Sequence, residues 1–182
     1  MVKGIIASAH EKMKTCLRDG GVAVDATCGK GRDTVFLARY ATRVFAFDVR
    51  TEAIKATTRA LEAEKLADRV TCVAQSHDTM RDVIDAPVRV VAFNLGYFPG
   101  GDKTKTTRAE TTLLAIKQAL TLLEAGGLLA LTVYPGHPEG VKEAHAIDAY
   151  LSTLPAKHFT VMKEQLLNRH HAPYNVFVYK ST

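Results

Sequence analysis

The chain has 182 residues, 47% of them apolar, with a formal net charge of +5 and a pI near 9.1. That length suits one domain with a sizeable core, expected to span residues 1–182, and is short for two. No run approaches the ~20 apolar residues that cross a bilayer. Charges interrupt the apolar positions of "MVKGIIASAHEKMKTCLRDG", so a secretory signal is not expected either. Cys16, Cys28 and Cys72 are odd in number and lack metal-ligand spacing, which points to a reducing cytoplasm. The positive balance favours an anionic partner, nucleic acid first, against the plainer alternative of an ordinary basic surface.

In chain order, residues 4–18 read as a helix with Ile6, Ala9, Met13 and Cys16 on one face and Lys12, Lys14 and Arg18 in water. "VAVDAT" (22–27) is a short apolar strand, "CGKGRD" a glycine-bearing turn, and "TVFLARY" the start of a helix. "RVFAFD" (43–48) is a second strand. Thr51 is the expected cap of a helix carrying Ile54 and Leu61. "RVTCVAQ" (69–75) is a third strand, "SHD" leads into a short helix, and "VRVVAFNL" is a fourth strand. Thr107 and Glu110 have capping-box spacing ahead of a helix with Ala109, Leu113, Ile116, Leu120 and Leu123 on its stripe. The glycines at 126–127 are expected to stop it before a strand over 128–134. "PGHP" opens a helix whose stripe includes Val141, Ala144, Leu151 and Leu154. Two strands, 158–167 and 174–180, then follow with a short loop between them and should pair antiparallel. This alternation predicts an α/β fold: a doubly wound, seven-stranded, mostly parallel sheet with one antiparallel strand near an edge.

In such sheets a ligand lies beyond the carboxyl ends of the strands. Asp25, the Gly29/Gly31 turn, Asp48 and the His77-Asp78 pair all fall there. Glycines let backbone approach a ligand closely. Asp48 follows Gly29 at about the spacing where an acid meets ribose hydroxyls. Asp78 is placed to accept from an adenine amino group. A dinucleotide fingerprint would need a third glycine where Thr34 stands, preceded here by Arg32 and Asp33. Asp25 would repel a pyrophosphate but suits a ligand bearing an ammonium and a sulfonium, which points to S-adenosylmethionine rather than NAD. The plainer alternatives are a tight turn at the glycines and helix caps at Asp48, His77 and Asp78; for His77 alone the plainer one is preferred.

"DATCGKGRDTVFLA", "NLGYFPGGDK" and "TVYPGHPEG" together resemble a bacterial family of small class I methyltransferases named for rRNA methylation and associated with tRNA. The family N-methylates 5-aminomethyl-2-thiouridine at the wobble position. The resemblance covers nearly the whole chain. It implies a Rossmann-like methyltransferase that uses S-adenosylmethionine and binds a tRNA anticodon stem-loop. It also carries Thr27, Asp33 and Thr34 into the expected cofactor set beside Asp25, Gly29, Gly31, Asp48, His77, Asp78 and Asn94. Asn94, ending the fourth strand, would accept a hydrogen bond from the substrate amine, with Tyr97 beside it. Tyr97 or Phe98 would stack on the base. Gly100 would help to fix the turn. Lys103, Lys105 and Arg108 would contact phosphate. Candidate proton acceptors are Asp102, His137 or water, and His137 alternatively caps a helix. Tyr134 and His137 fall near the pocket by the same strand-end rule. Arg169, His170 and His171 read first as a solvated turn and second as an RNA contact, with a metal reading weak. Rival readings are rRNA or a small metabolite as acceptor, and a binding module without chemistry. A homodimer is a candidate, although no stretch identifies an interface.

Overall fold

The computed structural model describes residues 3–96, 107–169 and 171–182. Its elements run α1 (Lys3–Cys16), β1 (Val22–Asp25), α2 (Arg32–Tyr40), β2 (Arg43–Phe47), α3 (Thr51–Ala63), β3 (Val70–Val73) and α4 (Met80–Val83). They continue with β4 (Val88–Leu95), α5 (Ala109–Leu122), β5 (Leu123–Val133), α6 (Pro138–Leu151), β6 (Phe159–Glu164) and β7 (Tyr174–Lys180). The seven strands form one sheet in the order β3-β2-β1-β4-β5-β7-β6. The first five are parallel, and β7 runs antiparallel between β5 and β6. The expected architecture is therefore present, with its reversed strand second from the edge.

Alternation along the central strands splits the core in two. Val91, Phe93 and Leu95 of β4 join Leu129, Leu131 and Val133 of β5 under α5 and α6. Val90, Ala92, Leu128 and Ala130 point the other way, toward α1 and α2. Helices on both faces leave these strands no wet side, so they read as continuous apolar runs. Chain order reverses between β1 and β4, and this opens the crevice beside which Asp25 and Asn94 lie.

Several local expectations are corrected. The buried face of α1 carries Ile5, Ala9, Met13 and Leu17, while Ile6 and Cys16 are half-buried. Arg50, not Thr51, holds the cap position of α3, whose buried residues are Ala53, Thr57 and Leu61. The Thr107–Glu110 capping box does not form: Arg108 holds the cap position of α5, without a side-chain cap bond. Gly126 and Gly127 lie inside β5, where Gly126 has φ of 75° and the pairing jumps from Val88–Leu123 to Val90–Leu128. They make an irregularity in the ladder rather than the end of the helix. Among the described residues, no helix is long and apolar enough to cross a membrane.

Candidate active site

The turn after β1 is built around a buried carboxylate. Asp25 is 1% exposed. Its Oδ1 accepts the Thr27 backbone N–H at 3.1 Å and its Oδ2 the Thr34 hydroxyl at 2.6 Å. Thr34, at the third-glycine position, is thus the tie between the strand end and the first turn of α2. Burial, and then the charge of Asp33, push Asp25 up to about 7. Gly29 and Gly31 have φ of 53° and 80°. The fold adds a reason for Gly31 besides the expected one. A Cβ there would stand 2.9 Å from the Thr57 Cα, so the glycine admits helix α3.

Asp48, just beyond β2, is 7% exposed. Arg50 forks onto it, Nε to Oδ1 and Nη2 to Oδ2, both at 2.9 Å. The Gly29 N–H donates to Oδ2 at 3.1 Å and the Arg50 N–H to Oδ1 at 3.0 Å. The acid therefore joins the turns after β1 and β2. His77 is buried, with its ring edge toward Phe93. Its Nδ1 lies 3.2 Å from the Ala26 carbonyl, which can only accept, so Nδ1 carries the hydrogen. Nε2 is then an acceptor, and it is buried with no hydrogen-bond partner among the described residues. Burial lowers the pKa of this ring. Ser76 holds the cap position before residues 77–79, so His77 and Asp78 are not caps. The Asp78 carbonyl accepts from Gln118 of α5, and the residue is half-buried in the turn between β3 and α4.

Asn94 sits near the end of β4, between β1 and β5. Its backbone N–H donates to the Thr27 hydroxyl at 2.7 Å. Its Nδ2 donates to Asp33 Oδ2 at 2.7 Å, and Asp33 Oδ1 accepts from His10 Nε2 at 2.7 Å. Asp33 is thus engaged by protein on both oxygens, although it was expected in the cofactor set. Tyr134, just after β5, packs its ring toward Gly96, and burial followed by the Asp33 charge pushes its phenol up.

Gly96, just after β4, and Thr107, just ahead of α5, are bonded to each other. The Thr107 N–H donates to the Gly96 carbonyl at 3.3 Å. The Thr107 hydroxyl donates to Glu143 Oε2 at 2.8 Å, and Thr112 donates to Oε1 at 2.6 Å. Glu143, on α6, is 2% exposed, and burial raises its pKa. Its need for donors explains why Thr107 does not cap α5. Tyr97, Phe98, Gly100, Asp102, Lys103 and Lys105 lie outside the described residues, as does His170. Arg108 is exposed at the head of α5. His137 caps α6, its Nδ1 accepting the Gly140 N–H at 3.0 Å, which is the plainer of the two expectations for it. Arg169 and His171 line a cavity of ≈ 270 Å³ with Pro135, next to Tyr134 in the chain.

Sequence reasoning missed His10 and Glu143. Glu143 had a signal, because it interrupts the buried face formed by Gly140, Ala144, Ile147 and Leu151. His10 had none, because it looked like any polar residue at the margin of an amphipathic helix.

Residues 44–180 match the family described as "Putative rRNA methylase". The chain belongs to that family. It is 37% identical over 185 residues to the tRNA (mnm5s2U34)-methyltransferase, chloroplastic, of Arabidopsis thaliana, covering 94% of this chain and 68% of that one. The crystal structure of a protein of the same description from Clostridium thermocellum superposes with a TM-score of 0.94, at 38% identity and 97% coverage of both chains. A Streptococcus mutans protein solved in complex with SAH has a TM-score of 0.91, at 38% identity and 99% coverage of both. This member of the rRNA methylase family is accordingly a class I methyltransferase that uses S-adenosylmethionine. The crevice fits that cofactor on its own terms. It offers a left-handed glycine turn after β1 and, in the turn beyond β3, a buried histidine acceptor with no partner among the described residues.

Proposed function

We propose that this chain N-methylates the aminomethyl group of a 2-thiouridine or uridine at the tRNA wobble position, gripping the anticodon stem-loop. The observation that carries the reading is the state of Asn94. Its NH2 group is committed to Asp33, so the carbonyl end of the amide is the one available to an amine. The Arabidopsis thaliana relative, named as a tRNA (mnm5s2U34)-methyltransferase, supports the choice of acceptor.

The groups expected to hold the cofactor are the turn tied by Asp48 and Arg50 toward ribose hydroxyls, Asp78 toward adenine, and the turn around Gly29 toward the amino-acid end. The cofactor supplies an electrophilic methyl on a sulfonium. Asn94 accepts an N–H of the substrate amine and aims its lone pair along the line of displacement. When bound, the cofactor would exchange its carbon–sulfur bond for the new nitrogen–carbon bond and would leave as the neutral thioether. The proton released from the methylated ammonium passes to Asp102 or to water, while His137 Nδ1 accepts the Gly140 N–H as a cap. Lys103, Lys105 and Arg108 contact phosphates and orient the RNA without reading it.

The test is transfer of labelled methyl to bulk tRNA from cells lacking the protein, followed by mass spectrometry of the wobble nucleosides. The expected result is one added methyl on the aminomethyl nitrogen. Label appearing only in rRNA or in a small metabolite would overturn the reading. Stem-loop affinity should also fall steeply with salt.

A further inference from the structure

We infer that His10 is a positioning residue for methyl transfer: through Asp33 it holds the Asn94 amide with its carbonyl oxygen facing the acceptor nitrogen. This rests on the methyl-transfer reading above and adds a residue to it.

An asparagine amide is nearly symmetric in shape and opposite in chemistry at its two ends. Packing alone does not choose which end faces a substrate. A carboxylate chooses, because it only accepts. Asp33 Oδ2, 2.7 Å from Nδ2, fixes the NH2 end and so sends the oxygen the other way. Asp33 is itself a short side chain in the first turn of α2, free to rotate about its terminal bond unless its second oxygen is also held. His10 holds it, with Nε2 2.7 Å from Oδ1.

His10 is no loose surface ring. It stacks on Phe36 of α2, ring centroids 3.9 Å apart and planes 10° from parallel. Its neighbours on α1, Ile5, Ala9 and Met13, are anchored in the core. The His10 and Asp33 side chains are 25% and 16% exposed, so their pairing is partly screened. A screened pair adds little to stability, and its consequence lies in geometry. Three elements meet in this chain of bonds, with separations of 23 and 61 residues.

Two substitutions separate the role from mere structure. His10→Phe keeps the ring for stacking and deletes the donor. His10→Gln loses the ring and keeps an N–H near the position of Nε2. The readouts are single-turnover transfer at saturating donor and tRNA, donor affinity by calorimetry, and hydrogen-exchange protection of the Asn94 side-chain amide by NMR. His10→Phe should slow transfer about 10- to 100-fold, with donor affinity within about twofold and amide protection lost. His10→Gln should recover most of both the rate and the protection. His10→Phe at the wild-type rate, or equal losses in rate and donor affinity, or no recovery in His10→Gln, would overturn the assignment. A wild-type chain that moves no methyl to any RNA would overturn the functional reading first, and the role of His10 with it.

Discussion

The strand ends on the two sides of the crevice are built on opposite plans. At β1 and β2 the acids are turned inward, and their oxygens are taken by the protein's own donors: Thr27 and Thr34 on Asp25, and Gly29 and Arg50 on Asp48. At β4, among the described residues, the amide of Asn94 is held at one end only, by Asp33. The first plan makes a frame, since side chains tied to neighbouring turns fix the path of the backbone that a cofactor must meet. The second makes a presented group, rigid because it is anchored and still able to bond a substrate. The acids differ from one another as well. Asp48 is matched by a guanidinium fork, whereas Asp25, among the described residues, has neutral donors alone and is buried beside another carboxylate, so its pKa rises to about 7.

The contrast makes separable predictions. The largest effect belongs to Asn94→Ala. Removing the presented acceptor should slow single-turnover transfer about 10²- to 10³-fold and leave donor affinity nearly unchanged. If calorimetry showed donor affinity falling as far as the rate, Asn94 would belong to the frame and the contrast would break. Next is Asp48→Ala. Untying Gly29 and Arg50 from the frame that the cofactor meets should weaken donor binding roughly 10- to 100-fold, while the rate at saturating donor changes far less.

The smallest effect sharpens the difference between the acids. The Asp25 carboxyl stands at about 7 in the folded chain, against ~3.9 unfolded. Between those values the folded chain holds a proton that the unfolded one has lost. Asp25 therefore makes stability fall as pH rises from about 4 to about 7, by at most about 1.4 kcal/mol per pH unit. Asp25→Asn should remove that slope, read as a flatter Tm against pH in calorimetry. An unchanged slope would mean that the acid is ionised in the fold.

Much of the site was legible because strand ends can be read locally. Asp25, Asp48, the His77-Asp78 pair and Asn94 all fall where an apolar run stops, and the fold brings those stops to one edge. Their partners were less legible. Gly31 looked like a ligand-approach glycine, because the sequence cannot show that Thr57 of α3 crosses above it. Thr107 and Glu110 had the spacing of a cap, yet Glu143, buried on another helix, draws the Thr107 hydroxyl away. A local pattern yields when a buried charge elsewhere needs the same donor.

By itself, the order of residues determined the number and sequence of strands and helices and the reversed strand near the edge. Those properties follow from hydrophobic period and turn chemistry, which are written in residues next to one another. Only the tertiary structure decided that His10, Asp33 and Asn94 form one chain of bonds and that Glu143 ties α6 to the head of α5. Such partnerships depend on where distant segments come to rest, and a single hydrogen bond across the fold leaves no period in the sequence.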